Sequence, residues 1–162
     1  MYKEIGRTIR DEYRKRPEVF KEKMVKWSAD PPVVRIDKPT NLPRARTLGY
    51  KDITGMVMAR VRVLKGKKKR STPGGGRKPS KAGRFFSRGK SLQAIAEERA
   101  ARRFANCEVM NSYFVGSTGT TSFFEILLLD RNSPSVLARK EYRALVGKRG
   151  RAYRSLTSAA SR

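Results

Sequence analysis

The chain has no histidine and one cysteine, Cys107. A zinc site takes about four Cys or His ligands, so none can be assembled. The commonest general base is missing with histidine, and so is every Ser–His or Cys–His nucleophile pair. A lone cysteine leaves nothing to pair within the chain, which fits a reducing compartment. Lying between an expected helix end and an expected strand, Cys107 reads as a buried free thiol. The longest apolar run, Ile126 to Leu129, is far too short to cross a membrane. The first residues, Met1-Tyr2-Lys3-Glu4, are charged and lack the apolar core of a signal peptide. The expectation is a non-enzymatic cytoplasmic protein with no cofactor, no metal, no membrane partner and no small-molecule substrate.

Acid is also scarce. Lys and Arg number 39 against 14 Asp and Glu, a formal net charge of +25 in 162 residues. Between Asp52 and Glu97 there is no acid, yet thirteen lysines and arginines occur there, most of them from Lys65 to Arg88. That stretch also holds Gly66, Gly74, Gly75, Gly76, Gly83, Pro73 and Pro79. It has too little apolar surface to offset the entropy of ordering, so by itself it should be disordered and extended by self-repulsion. A solvated surface loop ordinarily mixes acids with bases; this one does not, which points to a dense polyanion as partner.

A nucleotide hydrolase is suggested by Gly83 to Gly89-Lys90-Ser91, which ends like a phosphate-cradling loop, and by Asp130 at the end of an apolar run. The spacing fails: five residues separate the two glycines where that loop needs four. Glu97 and Glu98 are helix neighbours pointing about 100° apart, so they make no catalytic carboxylate pair. Ion pairs to Arg102 or nearby arginines account for them.

The hydrophobic pattern predicts helix over residues 3–27, interrupted at Pro17, with Phe20, Met24 and Trp27 forming one apolar stripe. Four prolines from Pro31 to Pro43 predict an extended connector. Met56 to Leu64 alternates, with Val57, Ala59, Val61 and Val63 facing a core while Arg60 and Arg62 make a basic second face. Ser91 should cap a helix running to about Phe104, carrying a Glu98–Arg102 pair and ending at a left-handed Asn106. Strands are predicted at Glu108–Val115 and Ser122–Leu129, the second apolar on both faces and therefore central. After Glu141 no acid follows, and Lys148, Arg149, Arg151 and Arg154 form a second basic stretch. The predicted fold class is α+β: a small, mainly antiparallel sheet packed with helices, with a long basic loop and a C-terminal extension. One domain is expected, made of helices (1–29), connector (30–55), body (56–64 and 90–130), basic loop (65–89) and basic extension (131–162).

Charge alone does not choose between DNA and RNA. Zinc-finger spacing, heptads after a basic helix and an obvious helix-turn-helix are all missing. A Gly- and Pro-rich basic coil tethered to a small body suits irregular folded RNA better. Specific words now add to this. Arg44-Ala45-Arg46-Thr47-Leu48-Gly49-Tyr50-Lys51, Gly55, and Arg60-Val61-Arg62-Val63 with Lys65-Gly66 come first. Ser91 to Ala100, Asn111 to Gly116 and Leu156-Thr157-Ser158-Ala159 follow in order. Together they resemble ribosomal protein family fifteen-e of the archaeal and eukaryotic large subunit. Phe114 stands where that family commonly has tryptophan, and the stretch after Leu156 is shorter than the family's usual basic tail.

The resemblance implies a non-catalytic constituent of the large ribosomal subunit, partnered by large-subunit ribosomal RNA and neighbouring ribosomal proteins. The expected RNA-contacting residues are Arg44, Arg46, Lys51, Arg60, Arg62, Lys65, Lys67, Lys68, Lys69, Arg70, Arg77, Lys78, Lys81, Arg84, Arg88 and Lys90. Lys148, Arg149, Arg151 and Arg154 complete the set. Among the aromatic residues, Phe85 and Phe86 are open to base stacking or to packing, while Tyr50 and Tyr153 should pack. The competing reading is a nucleoid or chromatin protein gripping duplex DNA without sequence preference. It would need no fixed order of words.

Overall fold

A computed structural model describes residues 2–66 and 69–161. Two helices open the chain, α1 (Tyr2–Lys15) and α2 (Glu18–Ala29). They are separated by Arg16, in the left-handed region at φ 49°, and by Pro17, which stands just before α2. The prolines do not keep the connector irregular. Pro31 and Pro32 precede a short strand, β1 (Val33–Ile36), and Pro43 occupies the first turn of α3 (Leu42–Thr47), where a missing N–H costs nothing. Asn41 caps α3 by accepting from the Arg44 N–H at 3.0 Å.

Strand β2 (Met56–Leu64) has the predicted bounds. Helix α4 (Leu92–Arg103) starts at Ser91, whose Oγ accepts from the Ala94 N–H at 3.0 Å. The helix ends at Phe104, and Asn106 is not left-handed; its carbonyl instead accepts from the Arg131 N–H. Strands β3 (Cys107–Ser117) and β4 (Thr121–Asp130) form a hairpin longer than predicted. Two short helices unforeseen in the sequence follow, α5 (Pro134–Leu137) and α6 (Lys140–Val146).

The sheet is antiparallel with order β1-β2-β4-β3, so the doubly apolar β4 is central as expected. Alternate residues of β4 divide the core. Phe124, Ile126 and Leu128 meet α4, together with Ala59, Val61 and Val63 of β2. Leu127 and Leu129 meet Ala45, Tyr50, Val136 and Tyr142 on the other face. Phe123 receives Phe20 and Met24 of α2. The α2 stripe is thus spent on the chain's own sheet. Gly116, beside a register shift in β3, makes this fit possible: a Cβ there would come within 3.1 Å of the Met24 side chain.

Gly55, at φ 90°, turns the chain into β2, and any Cβ would overlap the Ser133 side chain. Ser133 Oγ donates to the Thr54 carbonyl at 3.0 Å, tying this turn to the start of α5. Cys107 is buried, and burial foremost, then the Asp130 charge, pushes its thiol up to about 11. A thiol-labelling reagent at neutral pH should therefore react about a hundredfold more slowly with the native protein than with the urea-unfolded chain. Equal rates would show the thiol to be open.

Candidate nucleic-acid interface

The basic stretch is an arm held at both ends. Where it leaves β2, the Lys65 N–H donates to the Thr120 carbonyl (2.7 Å) and its Nζ to the Thr118 carbonyl (2.6 Å). Where it returns, Lys90 pairs with Glu98 at 2.5 Å, and Ser91, the α4 cap, also donates to the Ala159 carbonyl at 2.9 Å. Glu98 therefore serves Lys90 rather than the expected Arg102. Between these anchors the limbs meet once, with a Lys69–Phe85 bridge beside an Arg70 N–H···Arg84 carbonyl bond of 2.8 Å. Arg88 donates to the Gly66 carbonyl across the base, and a 3-10 turn forms at Pro79–Lys81. The arm is more organised than its composition implies. At its root lies a cleft of about 460 Å³ lined by Lys65, Gly66, Ser87, Arg88 and Lys90.

Among the described residues, Lys69, Arg70, Arg77, Lys78, Lys81 and Arg84 are exposed and meet no carboxylate. The Arg70 guanidinium lies 4.0 Å from the centre of the half-buried Phe86 ring, whereas Phe85 is 73% exposed. Phe86 is thus a packing residue, and Phe85 is the ring left open. Lys67 and Lys68, also expected at the interface, lie outside the described residues.

Several other expected contacts are taken by the protein itself. Arg60 pairs with Asp30 at 3.0 Å and lies over the Trp27 ring at 4.3 Å, and Arg62 donates to the Ser28 carbonyl. The second face of β2 is therefore covered by α2 rather than presented as a basic surface. Arg151 is buried and donates to the carbonyls of Val109 (3.0 Å) and Leu156 (3.3 Å), making it a brace. Lys51 pairs with Glu141 at 3.3 Å, and Arg46 sits over Tyr2 at 5.1 Å, though both remain exposed. Arg44, Lys148, Arg149 and Arg154 are exposed. Tyr50 is buried as expected; Tyr153 is half exposed and donates to the Glu98 carbonyl at 3.3 Å.

The C-terminal stretch is clasped to the body by buried carboxylates. Glu97, expected to ion-pair on a helix surface, is fully buried and accepts from the hydroxyls of Ser112 and Thr157, the latter at 2.5 Å. Glu108 accepts from the Gly150 N–H at 2.9 Å. On the opposite face, Glu125 accepts from the Thr40 N–H at 3.0 Å and from the Thr40 and Tyr113 hydroxyls. Desolvation raises the carboxyl pKa of Glu97 and Glu125 above the usual range, opposed by these hydrogen bonds.

Two basic surfaces escaped the reading built on the acid-free stretch. One is on α1, where Lys3, Arg7, Arg10 and Arg14 recur at helical spacing and are exposed. The other is a cleft at the end of α4 lined by Arg99, Arg102, Arg103, Pro32 and Val33. The helical period of charge could have revealed the first. The second depends on the connector folding beside α4.

Residues 1–162 match the protein family described as Ribosomal L15. The chain is 42% identical, over 168 aligned positions, to large ribosomal subunit protein eL15 of Methanocorpusculum labreanum, covering 100% of this chain and 87% of that one. It is 43% identical to the protein of the same name in Nanoarchaeum equitans, covering 88% and 76% of the two chains. For the one in Metallosphaera sedula the identity is 43%, with 89% and 68% covered.

Proposed function

The chain belongs to the ribosomal L15 family of eL15 type, a structural constituent of the large subunit in cytoplasmic ribosomes, and from that membership we propose that its basic arm binds and stabilises large-subunit ribosomal RNA. The observation that carries the proposal is the row of exposed cations from Lys69 to Arg84, which meet no carboxylate among the described residues while both ends of the arm are fixed to a folded body. A fixed root gives the arm one direction of entry, and its uncompensated charges replace counterions on crowded phosphates. Lys148, Arg149 and Arg154 extend the contact from the clasped C-terminal stretch. Neighbouring large-subunit proteins complete its surroundings.

Sedimentation of a cell lysate after a high-salt wash tests this reading. The protein should stay with large subunits at salt that strips loosely bound basic proteins. Its appearance with DNA or in the free fraction would overturn the proposal.

A further inference from the structure

Helix α1 is attached to the body in an unusual way: none of its residues is buried, yet it borders a mainly apolar opening near β3. Tyr13 joins it to the body's aromatic residues, edge-on to Phe114 at 5.4 Å and to Phe20 at 6.0 Å. Between helix and body lies a cleft of about 400 Å³ whose lining includes Ile9, Arg10, Tyr13, Arg14, Asn41 and Phe114. It continues into a basin of about 690 Å³ that shares Arg10, Asn41 and Phe114 and adds Arg7 and Arg44.

Three properties of this cleft agree. Phe114 is 42% exposed, although Tyr113 beside it is buried. Arg7, Arg10, Arg14 and Arg44 surround it and outnumber the acids there, Asp11 and Glu4; among the described residues none of the four arginines forms an ion pair. Asn41 spends its Oδ1 on capping α3. Among the described residues its amide Nδ2 donates to no acceptor. An aromatic floor, a polar donor and a rim of cations spaced along one helix face suit a base with its flanking phosphates better than a peptide. A base stacks on an aromatic ring whatever its identity, and arginine takes phosphate oxygens in pairs.

We propose that the cleft between α1 and β3 is a second RNA site, separate from the arm, which takes one or two unpaired nucleotides with a base against Phe114 and phosphates along Arg7, Arg10 and Arg14. This rests on the RNA-binding reading above and adds to it a place for single-stranded nucleotides besides the open Phe85 ring of the arm.

The full-length protein is titrated by fluorescence anisotropy with a single-stranded RNA dodecamer and with an RNA duplex of matched length. A second single strand carries 2-aminopurine. Phe114→Leu keeps the apolar packing and removes the stacking face. It should weaken single-strand binding about tenfold, lower the 2-aminopurine quenching at least by half, and leave duplex affinity and salt slope unchanged. Replacing Arg7, Arg10 and Arg14 with Ala should lower the single-strand salt slope by about 2, at roughly 0.7 per phosphate. Wild-type single-strand affinity and quenching in both variants, with binding still lost when the arm is neutralised, would overturn the cleft and spare the arm. Failure of the wild-type protein to bind either RNA would overturn both readings. RNA binding unchanged in the variants, together with loss of binding to a poly-glutamate peptide, would make the cleft a protein site instead.

Discussion

Replacing Glu125 with alanine should cost roughly 3 to 5 kcal/mol of folding free energy, because it leaves a buried set of donors without their shared acceptor. Glu125 is fully buried in the central strand, with Arg60 opposite it on one side and Tyr113 opposite it on the other. Its two oxygens hold the Thr40 N–H, the Thr40 hydroxyl and the Tyr113 hydroxyl. The carboxylate thus fixes the connector to the sheet just before α3. Urea unfolding of the purified protein gives the measurement, and a loss below about 1 kcal/mol would refute the clamp. Burial raises the native pKa of Glu125. This group's contribution is therefore complete below the ordinary carboxylate value and declines as pH rises through the raised one. Glu125→Gln, uncharged at every pH, should flatten that decline.

The second large effect concerns the arm. Changing Lys69, Arg70, Arg77, Lys78, Lys81 and Arg84 together to alanine should reduce the slope of log K against log salt, for binding to large-subunit RNA, by up to about 4. That figure assumes one phosphate per side chain at roughly 0.7 each. Stability should stay within about 1 kcal/mol of wild type, because none of these side chains joins the core or an ion pair with a described carboxylate. An unchanged slope would mean that the arm is only solvated charge.

The two variants separate what each part of the chain does. Glu125 acts through the body and should reduce RNA binding only as far as it unfolds the protein. The arm residues should act on binding without touching the fold.

Local pattern was legible wherever one element sufficed. The alternation of β2, the Ser91 cap, the centrality of β4 and the buried thiol each follow from spacing, polarity or burial within a short window. The connector was misread because prolines at strand and helix starts look like prolines that exclude structure. Glu97 was misread and Glu125 passed over for a related reason: a glutamate in an amphipathic pattern is ordinarily at the surface. Glu97 and Glu125 are inside because hydroxyls distant in sequence, those of Thr157 and Thr40, reach them.

By itself, the sequence determined that the chain is a polycation with a small α+β body, and that its acid-free stretch departs from β2 and returns at Ser91. Charge count, hydrophobic period and ordered family words are all local or additive, so they are set before the chain folds. Tertiary structure alone decided which cations are available. Arg60, Arg62 and Arg151 look like the arm's arginines in sequence, yet they are drawn inward by Asp30, the Ser28 carbonyl and the Val109 carbonyl. Among the described residues, Arg7, Arg10 and Arg14 have no such partner, and they stay at the surface around Phe114. An arginine's availability depends on acceptors brought to it from elsewhere in the chain, and only folding brings them.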